Sequence, residues 1–148
     1  MEERDVHCLL YQGKYNLFNR EPEEEGILRQ AKENGTGFIA FSPLAQGLLT
    51  NRYLNGIPDD SRIAKGGFLK KEALTDEVLK KIKALNELAI RRGQTLAEMA
   101  LAWILKDDLV TSVIIGASSV GQLADNLKAI DNTAFSAEEL KNIYQIVK

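Results

Sequence analysis

The sequence predicts an α/β fold in which parallel strands alternate with helices. Two runs, 37–41 and 113–115, are apolar without the alternation of a half-exposed strand, which is typical of parallel strands covered on both faces. Segments with apolar residues at helical spacing separate these runs, and several begin with Ser or Thr. This order implies right-handed crossovers and therefore a parallel sheet.

The first part of the chain contains a strand, a helix and a second strand. Residues 6–12 are predicted as a short strand, and residues 12–20 as a loop rich in polar and aromatic side chains. Pro22 suits the first turn of a helix that extends to about residue 34. The residues of its packed side are Ile27, Leu28 and Ala31. The second strand, 37–41, then runs into a polar loop.

A long weakly patterned stretch precedes two helices. Residues 48–73 contain many turn residues, and a loop of this length in a compact domain predicts a lid or a binding loop. Residues 75–92 form the clearest amphipathic pattern, and a second helix is predicted at 96–105. The terminal helix follows residue 136. The predicted capping boxes pair Thr95 with Glu98 and Ser136 with Glu139.

Residues 111–127 combine a buried strand, a glycine turn and the start of a helix. Gly116 turns the chain, Ser119 is the predicted N-cap, and Gln122 completes a capping box. The unpaired N–H groups and the dipole of a helix start favour an anion, so this turn fits a nucleotide phosphate. A capped surface helix with a solvated polar side is the alternative, and the pattern alone does not decide between them.

The helix that follows Ser119 has two distinct faces at helical spacing. One is apolar and is predicted to pack, whereas the other is polar and is predicted to contact a ligand. The packing face consists of Leu123, Leu127 and Ile130, and the ligand face of Gln122, Asp125 and Asn126.

Composition favours one folded unit over residues 1–148. The chain is 45% hydrophobic and 27% charged, with a formal net charge of −2 and a mean hydropathy of −0.20. No basic excess indicates a nucleic-acid surface, and no apolar run reaches the length of a membrane span. Because the charged amino end lacks the apolar core of a secretory signal, we expect a cytoplasmic protein without a nucleic-acid or membrane partner.

Cysteine and histidine each occur once. Cys8 lies in an apolar stretch and is predicted to be a small buried hydrophobic residue. His7 has neither a second histidine nor clustered cysteines to complete a set of metal ligands, so no metal site is predicted.

Three parallel strands are too few to close a barrel. They leave two exposed edges unless another chain or a further segment covers them. The sequence therefore predicts an incomplete sheet that can associate with itself, as a homo-oligomer, or with a partner through these edges.

Three motifs follow one another along the chain. They are Gln12-Gly13-Lys14-Tyr15-Asn16-Leu17-Phe18-Asn19-Arg20, Ala40-Phe41-Ser42-Pro43-Leu44-Ala45-Gln46-Gly47-Leu48-Leu49-Thr50, and Ile114-Ile115-Gly116-Ala117-Ser118 with Gln122 and Asp125-Asn126. In this order they resemble the carboxyl-terminal part of an aldo-keto reductase, in the branch of the bacterial glyceraldehyde-3-phosphate reductases and the β-subunits of voltage-gated potassium channels. The resemblance covers nearly the whole chain. It implies an α/β fold holding strands six to eight of a (β/α)₈ TIM barrel, with the barrel incomplete in this chain.

The resemblance also implies NADPH as cofactor and the reduction of a carbonyl to an alcohol. Gln12 resembles the residue that hydrogen-bonds the nicotinamide carboxamide, and Phe41 resembles the aromatic residue that stacks on the nicotinamide ring. The residues that resemble the pyrophosphate loop are Ser42, Leu44, Gln46 and Gly47, with Arg52 and Arg62 in positions where a basic residue meets the phosphates. Those that resemble the adenosine and 2′-phosphate site are Gly116, Ser118, Gln122, Asp125 and Asn126.

The catalytic residues of that family have no counterparts in this sequence. The family uses a Tyr as general acid, a Lys and an Asp that lower its pKa, and a His, all from the earlier half of the barrel. The four tyrosines here stand in no matching motif, and His7 precedes a different strand. We therefore expect an NADPH-binding portion that does not reduce a small carbonyl substrate without the other half of the barrel.

Two other interpretations remain at this level. The chain can be a non-enzymatic module that acts through self-association or a partner protein. It can also be an enzyme of another chemistry that uses Asp59, Asp60 or Arg62 in the long loop, although a solvated turn is the more ordinary role for such charges.

Overall fold

A computed structural model describes residues 7–55 and 74–148. Within these ranges one parallel sheet contains β1 (Leu10–Lys14), β2 (Gly37–Phe41) and β3 (Ser112–Val113), in the spatial order β1-β2-β3. The predicted parallel α/β organisation is confirmed. Arg62 and the greater part of the long loop, including Asp59 and Asp60, lie outside the described residues.

Six α-helices accompany the sheet in the described ranges. They are α1 (Glu21–Glu24), α2 (Ile27–Glu33), α3 (Asp76–Arg91), α4 (Leu96–Ile104), α5 (Val120–Leu127) and α6 (Ala137–Val147). Short 3₁₀ helices cover Ala45–Gly47, Asn51–Tyr53 and Lys128–Asp131. No described helix is long and apolar enough to cross a membrane.

The core lies on one face of the sheet. Because side chains alternate along a strand, Phe38 and Ala40 of β2 are fully buried, whereas Phe41 is on the opposite face and is 37% exposed. The buried face packs against α4, where the ring of Trp103 lies 5.1 Å from the ring of Tyr15. α4 belongs to the core, and its Leu96, Met99 and Trp103 are fully buried.

The helix starts agree closely with the prediction. Thr75 accepts a hydrogen bond from the Val78 amide and begins α3, close to the predicted residues 75–92. Two of the three predicted capping boxes are confirmed, at the starts of α4 and α6. These side chains satisfy backbone N–H groups that have no partner within the helix.

The first strand lies further along the chain than predicted. β1 begins at Leu10 and continues past Gln12 through Gly13 and Lys14, which the sequence assigns to a loop. Pairing with β2 decides its extent, because each β1 residue from Leu10 to Lys14 has a partner in β2. Gly13 lies against the ring of Phe38 and lets the two strands pair without a clash.

The single helix predicted after Pro22 is divided in two. Gly26 has φ +75°, a left-handed conformation that ends α1 before α2 begins at Ile27. Glycine adopts this conformation without steric cost, so the break is local. Leu28 and Ala31 are buried as predicted.

Burial near β3 and near the amino end is lower than predicted. β3 contains only Ser112 and Val113, and Ile114 is 48% exposed where a buried strand is expected. Cys8 is exposed, not buried, and its Sγ donates to the Leu10 carbonyl. The physical reason is common to both sites: within the described residues, β1 and β3 each pair with β2 alone, and the outer side of each is uncovered.

The packing face predicted for α5 is also exposed. Leu123, Leu127 and Ile130 are 41%, 52% and 64% exposed, while Asn126 on the predicted ligand face is 6% exposed. An apolar helix face is buried only if another element lies against it. The described residues place no such element beside this face of α5.

Candidate functional site

A cleft of about 380 Å³ lies between the segment that follows β2 and the segment that follows β3. These two parallel strands are neighbours, so their carboxyl ends open at the same edge of the sheet, where ligands of α/β proteins commonly bind. Seven residues of the predicted cofactor site line this cleft. They are Ser42, Leu44, Gln46, Gly47, Arg52, Gly116 and Gln122.

Five lining residues were not among the predicted site residues. They are Pro43, Thr50, Tyr53, Ile114 and Ile115. Thr50 caps the 3₁₀ helix Asn51–Tyr53 by accepting a hydrogen bond from the Arg52 amide. The sequence signal for this short helix is a capping Thr before a polar stretch. The weak periodicity of residues 48–73 made that signal difficult to identify.

Gln12 and Phe41 lie outside the cleft lining, on the exposed face of the sheet. Gln12 pairs in register with Ile39, and Phe41 lies two residues further along β2. Residues two apart on a strand share a face, so Gln12 and Phe41 are on the same side of the sheet. The part of the chain that holds Arg62 is not described, so its relation to the cleft stays a prediction.

The loop that follows β2 has an unusual backbone. Ser42, Ala45 and Gln46 have φ values of 54°, 47° and 59°, and Gly47 has 100°. Left-handed conformations are uncommon for residues other than glycine and cluster at binding and catalytic sites. The first six residues after β2 therefore form a tightly turned loop along one wall of the cleft.

The start of α5 forms the other wall. Ser119 is the N-cap, as predicted, and its side chain accepts from the Gln122 amide at 3.1 Å. The predicted return bond from Gln122 to Ser119 is wrong. The Gln122 Oε1 atom accepts instead from the amide and the hydroxyl of Ser118, at 2.7 and 3.0 Å, because its side chain reaches one residue further back.

Asp125 and Asn126 differ in their surroundings. Asp125 accepts a hydrogen bond from Lys128 at 2.8 Å on the same exposed surface, and this bond raises the pKa of the Lys128 amine. Asn126 is buried, and its Nδ2 atom has no hydrogen-bond partner among the described residues. A buried donor of this kind is costly unless an acceptor satisfies it, and Asn126, like Ser118 and Asp125, does not line the cleft.

Arg52 supplies the positive charge of the cleft. Among the described lining residues it is the one charged side chain, and the others are apolar, amide or hydroxyl groups. A cleft with one guanidinium and the start of a helix has the charge pattern that accepts an anion.

A buried ionic cluster lies elsewhere and was missed by the sequence analysis. The Lys106 ammonium donates to the Tyr15 hydroxyl at 3.2 Å and lies 4.2 Å from the centre of the Trp103 ring. Burial and the nearby Glu23 and Asp107 carboxylates raise the pKa of Tyr15 well above its usual range. A Tyr that acts as a general acid near neutral pH has a lowered pKa, whereas the pKa of Tyr15 is shifted in the opposite direction.

The whole chain matches a known family. The model of the aldo/keto reductase family matches residues 1–148. Among individual proteins, L-glyceraldehyde 3-phosphate reductase of Escherichia coli (strain K12) is 49% identical over 149 residues, which cover 98% of this chain and 43% of that protein. A probable voltage-gated potassium channel subunit beta of Arabidopsis thaliana is 40% identical, over 85% of this chain and 39% of its own length.

Solved structures show the same likeness in three dimensions. The glycerol dehydrogenase of Gluconobacter oxydans matches with a TM-score of 0.77 and 26% identity, and covers 97% of this chain and 44% of its own. An aldo-keto reductase of Bacillus halodurans in its holo form matches with a TM-score of 0.72 and 27% identity, over 98% and 44%. The chain thus spans less than half the length of these relatives. On the match over all of its residues, this chain belongs to the aldo/keto reductase family.

Proposed function

We propose that this chain is the NADPH-binding portion of an aldo-keto reductase. Members of the family are NAD(P)-dependent oxidoreductases, and the relative from Bacillus halodurans is a holo form. The observation that carries the proposal is the cleft, because it brings together residues from two distant motifs, 42–52 and 116–122. When bound, the cofactor supplies the hydride that reduces a carbonyl.

The cleft residues divide between the phosphates and the adenosine end. We assign the pyrophosphate to the tightly turned loop, with Ser42, Gln46 and Gly47, and to the Arg52 guanidinium. The adenosine 2′-phosphate belongs at the polar start of α5, where Ser118 and Gln122 already bond to each other.

The nicotinamide end belongs on the exposed face of the sheet. Gln12 and Phe41 share that face, and Phe41 is an aromatic side chain with exposed surface at the end of β2. We propose that Gln12 hydrogen-bonds the carboxamide and that Phe41 stacks on the ring. An exposed aromatic ring at a strand end supports this role, since stacking needs a free ring face.

We further propose that β1, β2 and β3 are strands six to eight of the barrel. The chain covers 43% of the length of the Escherichia coli relative, which supports a part of a barrel over a whole one. The assignment of these strands to positions six to eight rests on the order of the three motifs along the chain. In this position the Asp, Tyr, Lys and His of the catalytic set lie in another segment, so the chain binds a small carbonyl substrate and reduces it only together with that segment.

Nucleotide titration tests the proposal directly. We expect NADPH fluorescence to change on binding to the purified chain, and the Gln122→Ala variant to bind NADPH about tenfold more weakly, a loss of about 1.4 kcal/mol. Because the proposed contact is with the 2′-phosphate, the same change should alter NADH binding by less than about twofold.

Gln145→Ala is the matched control, since Gln145 is an exposed glutamine in the helix α6. It should bind NADPH as the wild type does. Failure of the wild type to bind either nucleotide at millimolar concentration would refute the proposal, and equal losses for NADPH and NADH would remove the 2′-phosphate assignment alone.

The exposed apolar face of α5 favours a second candidate function. Leu123, Leu127 and Ile130 form an uncovered strip, and β1 and β3 present unpaired edges within the described residues. Surfaces of this kind bind other proteins or copies of the same chain. This candidate is a non-enzymatic module that forms a homo-oligomer, and it predicts association that does not depend on NADPH.

A further inference from the structure

We propose that Asn16 is a positioning residue that holds the loop after β2 in its nucleotide-binding shape. The inference rests on the proposed function, because it concerns how the loop that is proposed to bind NADPH keeps its conformation. Asn16 itself does not line the cleft. It acts through the backbone of Ser42, which does.

The Asn16 side chain forms hydrogen bonds with two segments of the chain. It is 1% exposed, and its Nδ2 atom donates to the Ser42 carbonyl at 2.9 Å. Its Oδ1 atom accepts from the amides of Phe18 and Asn19, each at 2.9 Å. One buried amide group therefore connects the turn that follows β1 to the first residue after β2.

The bond to Ser42 is made at a residue with an unfavourable backbone conformation. Ser42 has φ 54°, a conformation that residues with a Cβ atom seldom adopt. Its carbonyl also accepts from the Ala45 amide at 3.0 Å, so two donors fix its direction. Such conformations persist only when the surroundings determine them, and Asn16 provides that restraint from outside the loop.

The remainder of the loop depends on this first turn. The Gly47 amide bonds to the Leu44 carbonyl at 2.8 Å, and the Leu49 amide bonds to the same carbonyl at 3.1 Å. Ser42, Leu44 and Gln46 line the cleft in this arrangement. If Ser42 relaxes to an extended or right-handed conformation, the direction of every later residue in the loop changes.

The variant Asn16→Asp distinguishes the donor bond of the Asn16 amide group from its two acceptor bonds. A carboxylate keeps both acceptor bonds to Phe18 and Asn19 but cannot donate to the Ser42 carbonyl. Asn16→Ala removes all three bonds. Asn19→Ala is the matched control, because Asn19 lies in the same turn and its Oδ1 atom has no hydrogen-bond partner among the described residues.

Amide hydrogen exchange of the free chain measures the restraint without any nucleotide. In Asn16→Asp we expect the amides of Ala45, Gly47 and Leu49 to exchange at least tenfold faster, with the amides within α4 unchanged. Asn19→Ala should leave the loop amides at the wild-type rate. Unchanged exchange of these three amides in Asn16→Asp would overturn the inference, whatever the variant does to NADPH.

Nucleotide affinity measures the functional consequence in folded protein. We expect Asn16→Asp to bind NADPH at least tenfold more weakly and adenosine 2′-monophosphate with unchanged affinity, because that probe lacks the pyrophosphate and reaches only the α5 side of the cleft. A merely structural role would weaken both probes together or neither, and either result contradicts the inference. If the loop amides respond as expected but the wild type binds neither probe, the proposed function fails while the restraint of Ser42 by Asn16 remains.

Discussion

At the scale of single residues, Gly13 is the clearest case of a position fixed by its neighbours. A Cβ atom placed there would lie 2.7 Å from the Cζ atom of Phe38 and 3.1 Å from the Tyr11 ring. The Phe38 ring is fully buried and contacts the aromatic rings of Tyr11 and Tyr15. It has little space in which to move, so the absence of a side chain at Gly13 is a packing requirement.

The Gly13→Ala variant should accordingly be destabilised by about 1–3 kcal/mol, the usual cost of adding a methyl group to a packed core. Urea unfolding followed by circular dichroism would measure the change. Gly121→Ala is the control, since its Cβ atom meets only the Ser119 Oγ at 4.0 Å and alanine favours a helix. That variant should be as stable as the wild type or up to about 1 kcal/mol more stable. Equal stability of both variants would show that the Phe38 ring moves aside.

Single residues differ in how far the sequence alone predicts them. Ser119, Thr95 and Ser136 were predictable as caps because a cap depends on residues three positions away. The contact of Asn16 with Ser42 and that of Lys106 with Tyr15 were not, because each joins segments far apart in the chain. Nothing within a few residues of Asn16 distinguishes it from an ordinary turn residue.

At the scale of secondary-structure elements, Arg92 joins α6 to the end of α3. Its guanidinium bonds to Glu139 and to the carbonyls of Asn132 and Ala134, and lies 3.7 Å from the centre of the Phe135 ring. The side chain is nearly buried. One arginine thereby fixes both the capping box of α6 and the chain that enters it.

This junction predicts a defined acid sensitivity. The Ser136 amide, and then Arg92, hold the pKa of the Glu139 carboxyl below its usual value of about 4.3. A lowered folded-state pKa gives stability that is present above the unfolded value and is lost as pH falls through the folded one. Between pH 6 and pH 3, Glu139→Gln should therefore lose less stability than the wild type, as measured by urea midpoints.

The control for this experiment is Glu138→Gln, which changes an exposed carboxyl in the same helical turn. Its stability should fall with pH as steeply as that of the wild type. If Glu139→Gln also keeps the wild-type slope, the carboxyl contributes no acid-sensitive stability, and the junction depends on the other contacts of Arg92.

Elements were predictable in proportion to their local signals. α3, α4 and α6 have caps and an apolar face, and the prediction found all three. β2 was predicted at its observed bounds because residues 37–41 form an apolar run, although only one face of the strand is buried and not both as expected. β1 and β3 were misplaced because their extent is set by pairing, and the α1–α2 break was missed because Gly26 permits a left-handed residue that a helical pattern does not reveal.

At the scale of the whole molecule, the uncovered face of α5 has a measurable consequence. Leu123, Leu127 and Ile130 expose apolar surface on one side of the chain. If the second candidate function holds, sedimentation velocity should show a weight-average mass that rises with concentration, with and without NADPH. Leu127→Lys should keep the chain monomeric, because a charge within the contact opposes burial.

Ile90→Lys provides the comparison, since Ile90 is an exposed apolar residue on α3, outside this face. It should associate as the wild type does. A wild type that remains monomeric at all concentrations would exclude the homo-oligomer. Association that both variants retain would place the contact on the strand edges instead of α5.

The overall architecture was predictable, whereas its exposed surfaces were only partly so. Order of elements alone indicates a parallel sheet, and three strands imply two open edges, which the described residues contain. Burial on α5 was predicted wrongly because the sequence shows that a face is apolar but not whether anything lies against it. The cleft could not be predicted in the same way, because it forms only where the segments that follow β2 and β3 meet. The register of β2 with β3 determines that they do.

The unequal connections between the strands have a consequence for folding kinetics. Residues 15–36 connect β1 to β2, whereas residues 42–111 connect β2 to β3. Closing a longer loop costs more entropy, and non-local pairings form late. The β1–β2 unit should therefore form early and β3 should dock last. Since the cleft lies between the exits of β2 and β3, it exists only after that final step, and a nucleotide would retain the completed state by slowing the departure of β3.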